Sequence, residues 1–527
     1  MKQTKMLKTA ILIVIGAAQI LYWPLETLAQ SSGFGITAIV KRGDPVNGGG
    51  RFFDCKDCEG RVIGLHALNN RGDVAIDADV IEGECLSGRF LISRGRDVKL
   101  ADSCRMTPFG KFSLFGPINI NEQGQAAIHT GVIVDNRFVN MLLFYSQGEF
   151  TQIVKEGDTT PDGAIFKGCG FGQPAINNNG EVAFHACAET GAGPVKDGVF
   201  VYSNGAMNKV VVNGDPSPFG GPFSLSFFPA QAVQINDNGD VLFRADVRFN
   251  ESTEKQGLFL STSSGFTKIL FEGDLMPTGG IVMPKTFANS DFNNRGEVTF
   301  SVRLSEGPSD SGIFHYSDGR IVKIMAEGDI TPIGGKFSPL VDPEGRESFP
   351  TPRINENGTV AFKVRVTDGS ASSAIFLASP RAMIKVAAIG DELPSGGKIK
   401  EITSFALNDL GQVAFFAEVK NGPKGVFLAS PVAPAISKIK LKRKQGGLEL
   451  RVDGSGMITS DTVIEINGAA LDESSYPESF RENGGTTRRT VSRDSRLEEL
   501  IPAGQSVQVT LFNRLTNVRS VPVSFSR

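Results

Sequence analysis

Short apolar runs, separated by clusters of Gly, Asn, Asp and Ser, recur along most of the chain. A representative stretch reads FSLSFFPAQAVQI, then the turn NDNG, then DVLFRADV, then GLFLS, and finally FTKILF before Gly273-Asp274. Runs of this length, rich in Phe, Val and Ile and bounded by turn residues, predict β-strands. The step from Asn to Gly three residues on suits a type I hairpin turn. Asn at its head bonds the backbone ahead of it, and Gly takes the positive φ that other residues resist.

That turn keeps a beat. LNNRGDVAI, INEQGQAAI, INNNGEVAF, INDNGDVLF, FNNRGEVTF, INENGTVAF and LNDLGQVAF begin at asparagines Asn69, Asn121, Asn177, Asn236, Asn293, Asn355 and Asn408, spaced by 52, 56, 59, 57, 62 and 53 residues. A second motif, Gly-Asp (once Ala-Asp), places Asp44, Asp102, Asp158, Asp215, Asp274, Asp329 and Asp391 in register with the first. Both motifs read as structural turns. One aspartate per loop lacks the alternating carboxylates of a calcium loop.

Units of four strands at this spacing predict an all-β, seven-bladed β-propeller, one blade per unit. The ends of the repeat region complement each other. It begins with a lone fourth-type strand, GITAIVK at 35–41, and ends on a third-type strand, GVFLAS at 425–430. Pairing them closes the ring and removes two open sheet edges. The expected division is a signal peptide over 1–30, the propeller over 31–430 closed by strand 35–41, a linker at 431–435 and a β-sandwich over 436–527. The sandwich is read from ISKIKLKRK, LELRVDGSGM, TVIEINGAAL, SVQVTLFN and VPVSFS, with turn signals between them.

The units resemble the tandem NxxGxxAF repeats of exported bacterial proteins, and their strand-turn-strand core is similar to TolB-like and WD-repeat blades. Units one and two depart from the pattern, with Ile76 and Ile128 in place of Phe. The segment LRVDGSGMITSDTVIEINGAAL with the closing VPVSFS strand resembles the IPT/TIG group of immunoglobulin-like domains. These resemblances imply a fold and an exported location, and no reaction.

Composition sharpens the picture. Lys2, Lys5 and Lys8 precede an apolar run from Ala10 to Trp23, and Thr27-Leu28-Ala29 is a small-residue cleavage site. The run is shorter than the ~20 residues that span a bilayer, so a removed leader and no membrane span are expected. The protein is then secreted or periplasmic. The chain's net charge is −3, which argues against nucleic acid as a partner. Without the leader the only tryptophan, Trp23, is gone, leaving few rings of the kind that stack on sugars. From residue 434 onward the charge is +3, concentrated in Lys440-Leu441-Lys442-Arg443-Lys444, which reads as a lysine-guarded strand edge.

Catalytic chemistry is sparse. His66, His129, His185 and His315 lie in different units without zinc spacing, and there is no nucleophile elbow or phosphate loop. No catalytic, cofactor-binding or metal residues are assigned, and no cofactor is expected. The function read from the sequence is an exported, non-enzymatic binding or scaffold protein that presents propeller loops to an extracellular protein or polymer. The alternatives are a channel-site hydrolase or lyase acting on an extracellular polymer, and a purely structural envelope or matrix protein. The oligomeric state is not written in the sequence.

Six cysteines lie in the repeat region: Cys55, Cys58, Cys85, Cys104, Cys169 and Cys187. An even number in an exported chain predicts disulfides. Cys169 and Cys187 flank the turn at Asn177 at similar distance, so they are expected to pair across one hairpin. The other four pair either as Cys58–Cys85 with Cys55–Cys104 or as Cys55–Cys58 with Cys85–Cys104.

Overall fold

The computed structural model describes residues 30–31 and 33–527, apart from 54–63, 84–86, 94, 103–105, 192, 194, 226–232, 285–289, 342–346, 349–350, 445–446, 459–460, 472–477, 484–485 and 495. Residues 1–29 of the proposed leader, and Cys55, Cys58, Cys85 and Cys104, lie outside the described residues.

The chain is all-β, and its repeat region forms a propeller. Each repeat makes one antiparallel sheet whose strands follow chain order, here called A to D from the inside outward. In the third sheet A is Ile165–Phe171 with Ala175–Ile176, B is Val182–Glu189, C is Val195–Ser203 and D is Ala206–Val212. Seven such sheets are present among the described residues. The last borrows its D strand from the other end of the repeat region. Phe34–Lys41 lies antiparallel to Gly425–Pro431, with Ile36 opposite Ala429.

The alternation within VAF explains how the sheets stack. Large residues on one face of strand B meet one neighbouring sheet, and the small residue between them meets the other. Val182 and Phe184 share a core with Leu142 and Val154 of the sheet before, whereas Ala183 joins Val241 and Phe243 of the sheet after. The same handover repeats around the molecule. Val74 and Ile76 of the first sheet pack with Ala414 and Phe416 of the last. The apolar cores among the described residues therefore lie between sheets and run in a closed cycle.

Strand A is less regular than the sequence suggests. In the third sheet its ladder shifts register between Phe166 and Phe171, and in five sheets it is split into two pieces. In the third sheet residues 167–170 lie opposite Cys187 alone, so the surplus bulges out of the ladder.

The C-terminal segment folds as two sheets over one core. One holds Ala435–Lys444, Gly447–Ser455, Thr486–Asp494 and Glu478–Asn483; the other centres on Thr462–Ile466 and Ser506–Asn513. Leu450, Val452, Ile464, Ile466, Val509 and Leu511 fill the space between them. This unit is fastened to the propeller. Leu515 joins the core between the sixth and seventh sheets, and the Thr359 hydroxyl donates to its carbonyl at 2.9 Å. The lysine-rich strand 435–444 is an edge strand, and Arg443 pairs with Glu498.

Candidate functional site

Chemistry-bearing side chains converge at the end of the propeller where strand A turns into strand B. Each turn is a tight loop in which the Gly amide donates to the Asn carbonyl, as Gly180 does to Asn177 at 3.1 Å. The seven glycines have φ between 69° and 80°, the left-handed region where a Cβ is strained. All seven asparagines are buried, at 2–5% exposure. Asn177 shows what they do. Its Oδ1 accepts from the backbone of Asn179 and Glu181, at 3.0 and 2.9 Å, and its Nδ2 donates to Glu181 at 2.7 Å. The remaining Nδ2 hydrogen reaches the Asn236 carbonyl in the next sheet at 2.8 Å. The amide uses its full complement of bonds, and an aspartate in its place would lose both donors.

That last bond is repeated by every asparagine, at 2.8–3.3 Å, from Asn69 through Asn121, Asn177, Asn236, Asn293 and Asn355 to Asn408, which donates back to the Asn69 carbonyl. The result is a closed circle of seven side-chain-to-backbone bonds.

A second circle lies against it. The residue after each asparagine is Asn70, Glu122, Asn178, Asp237, Asn294, Glu356 or Asp409. Each gives its backbone N–H to the side chain of its counterpart in the next sheet, at 2.7–3.2 Å, and Asp409 returns to Asn70. Four of these seven are acids, and they ring a cavity of about 190 Å³. Burial pushes the Glu122 and Glu356 carboxyls above the usual glutamate range. Asp409 adds repulsion at both and Asp237 at Glu356, while the backbone N–H groups pull the other way. Asn178 and Asn294 amides shield Asp237, each at 2.9 Å. Sequence reading overlooked this circle. Its signal was present, since the position after every asparagine is Asn, Asp or Glu.

The Gly-Asp motif sits at the opposite end and works locally. Asp44, Asp158, Asp215, Asp274, Asp329 and Asp391 each accept the backbone N–H three residues earlier, at 2.7–2.9 Å. Four of them also pair with a lysine six residues earlier, as Asp391 does with Lys385 at 2.8 Å. Asp102 ends a D strand instead, buried beside Lys99 at 3.5 Å.

The histidines remain scattered. His66 contacts Asp77 at 3.1 Å, and Asp77 also faces Arg89 at 3.3 Å. Burial raises the Asp77 pKa, but His66 and Arg89 outweigh it and the net shift is downward. His185 is buried, and loss of solvation lowers its pKa to about 4. Burial lowers His129 and His315 as well. Among the described residues, no group of three or more His, Cys, Asp or Glu is placed to hold a metal ion. No cysteine there is free, and Cys187 is disulfide-bonded. Strand 165–171 bulges opposite Ala186–Ala188, which sets the backbone of Cys169 in the stretch facing Cys187. Among the described residues, no helix is long and apolar enough to cross a membrane.

Among solved structures, the chain is similar to the β-propeller domain of the trilobed protease from Pyrococcus furiosus, with TM-score 0.41 and 8% identity over 69% of this chain and 95% of that one. It also matches Trypanosoma rangeli sialidase in complex with the inhibitor DANA, with TM-score 0.28 and 10% identity over 64% of this chain and 56% of that one. A native Bacillus subtilis arabinanase gives TM-score 0.21 and 15% identity over 49% of this chain and 92% of that one. These scores are too low to argue from, and the fold rests on the strand pairing and cores above. No curated protein matches the chain significantly. The model of a family of unknown function, DUF7453, matches residues 17–344 and 335–427, and the chain belongs to that family.

Proposed function

We propose that this protein is an exported, non-enzymatic binding or scaffold protein. In this reading it is a seven-bladed propeller of NxxGxxAF repeats carrying an IPT/TIG-like immunoglobulin-fold domain, secreted or periplasmic after loss of residues 1–30. A Cys169–Cys187 bond staples the third blade. One observation carries the reading: the acids that ring the cavity are committed to architecture. Glu122, Asp237, Glu356 and Asp409 each accept the backbone N–H of the preceding sheet's turn. A catalytic acid or base instead needs its oxygen on the reacting group.

The second reading, a hydrolase acting on an extracellular polymer, is favoured by the raised Glu122 and Glu356 beside Asp237 and Asp409. Two neighbouring carboxyls, the acid among them with a raised pKa, are what glycoside cleavage uses. Size decides against it. The cavity of about 190 Å³ is smaller than the ~300 Å³ at which pockets for drug-sized ligands begin.

The test uses the mature chain on extracellular polysaccharides, with release of reducing ends as readout, alongside immobilised protein incubated with the native extracellular fraction. The expected result is retention of a partner and no release. Turnover by the wild type that E122Q or E356Q abolishes would overturn the scaffold reading.

A further inference from the structure

Among the described residues, the outer edge of the first sheet departs from the repeat at one position of its D strand. In the other six sheets the D strand places a large apolar residue opposite the same position of strand C. These are Ile36, Phe150, Met207, Phe266, Ile321 and Met383. Each packs into its sheet's apolar cluster. In the first sheet the equivalent residue, opposite Ile92, is Asp97.

One loop side chain of the fourth sheet also has no counterpart in the first, where Val46 is the buried loop residue instead. In the fourth sheet that side chain is Phe219, whose ring stacks on Phe259 at 5.2 Å. The first-sheet loop is closed by the same backbone bond, from Val46 to Gly50 where the fourth has Ser217 to Gly221. That register puts Gly48 where Phe219 stands.

A pocket of about 500 Å³ opens there. Its apolar walls include Val46, Phe52 and Ile92, together with Ile39 and Val40 from the strand that closes the ring. Asp44, Arg96 and Asp97 line it with charge, and Asp97 accepts the Asn47 N–H through one oxygen at 2.9 Å.

We propose that this pocket binds a small aromatic amine. The fold itself indicates the body of the ligand, since at the position of Asp97 the second and fourth sheets carry the phenyl rings of Phe150 and Phe266. The charge of the head follows from the described lining, which carries two carboxylates, Asp44 and Asp97, and one guanidinium, Arg96. The volume lies within the range of small-molecule sites, which combine apolar walls with a few placed polar groups. Because Ile39 and Val40 belong to the closing strand, an occupant bridges the two ends of the ring and stabilises the closed form by mass action.

The experiment titrates the full mature protein with phenethylamine, and with phenylacetate for comparison, by calorimetry and by thermal unfolding. Saturable phenethylamine binding is expected, at least tenfold tighter than phenylacetate, with a rise in the unfolding midpoint. D97F fills the pocket as Phe266 fills its own and is expected to abolish binding while keeping the wild-type midpoint. D97L provides the same test should D97F fail to fold. No phenethylamine binding by the wild type, equal affinity for phenylacetate, or binding retained by a folded D97F or D97L would each overturn the proposal.

Discussion

The two ends of the propeller are built from motifs that recur on the same beat, yet they hold the molecule in different ways. At the A–B end, each asparagine completes its own turn and then spends a donor on the next sheet. At the Gly-Asp end, six of the seven aspartates accept an N–H from their own strand and pair, where they pair, with a lysine of that strand. One end is a circle of mutual dependence; the other is a set of independent caps. Equal recurrence in sequence therefore does not mean equal weight in the fold. A bond buried between sheets is costly to leave half made, whereas an exposed ion pair contributes little.

The largest effect should come from breaking the circle at its seam. Deleting residues 31–42 removes Phe34, Ile36 and Val40, all at most 3% exposed. Losing three such side chains costs on the order of 6 kcal/mol, comparable to the whole stability of many domains. Aggregation or loss of a cooperative transition is expected in a urea melt. Wild-type behaviour would mean that ring closure contributes nothing.

A smaller effect probes the acids of the second circle. Glu122 and Glu356 have pKa values raised by folding. The folded state thus holds their protons more tightly than the unfolded chain, and stability falls as pH rises from the ordinary glutamate value through the raised one. The E122Q/E356Q variant keeps an oxygen for each backbone N–H and loses the repulsion. At pH 7 it should be more stable than wild type by about 1 kcal/mol or less, with the gain vanishing near pH 4. A variant less stable than wild type at pH 7 would show that these charges support the circle.

How much of this was legible beforehand follows from what each feature depends on. The strands, the turns and the all-β class come from local pattern, and the complementary end strands 35–41 and 425–430 come from counting units. The circles were not legible, because they depend on distances between residues more than fifty positions apart. A turn reading gave Asn177 a bond to the backbone ahead of it but had no means of assigning the Nδ2 bond to the Asn236 carbonyl. The carboxylates around the cavity went unnoticed for the same reason, since Glu122 and Asp409 come to line one cavity only when the ring closes. The vacancy beside Asp97 appears only when seven D strands are laid over one another in register.

The central claim is that the asparagine circle, and not the aspartate caps, carries the cohesion between sheets. The most direct measurement compares N236A with D274A by equilibrium urea unfolding at pH 7. N236A strands the backbone N–H groups of Asn238 and Asp240, the Asn293 carbonyl and one partner of the Asp240 carboxylate, all now satisfied by Asn236. D274A releases the Phe271 N–H and an exposed lysine pair. The account predicts a loss of about 3 kcal/mol or more for N236A and about 1 kcal/mol for D274A. Equal losses, or a larger one for D274A, would contradict it.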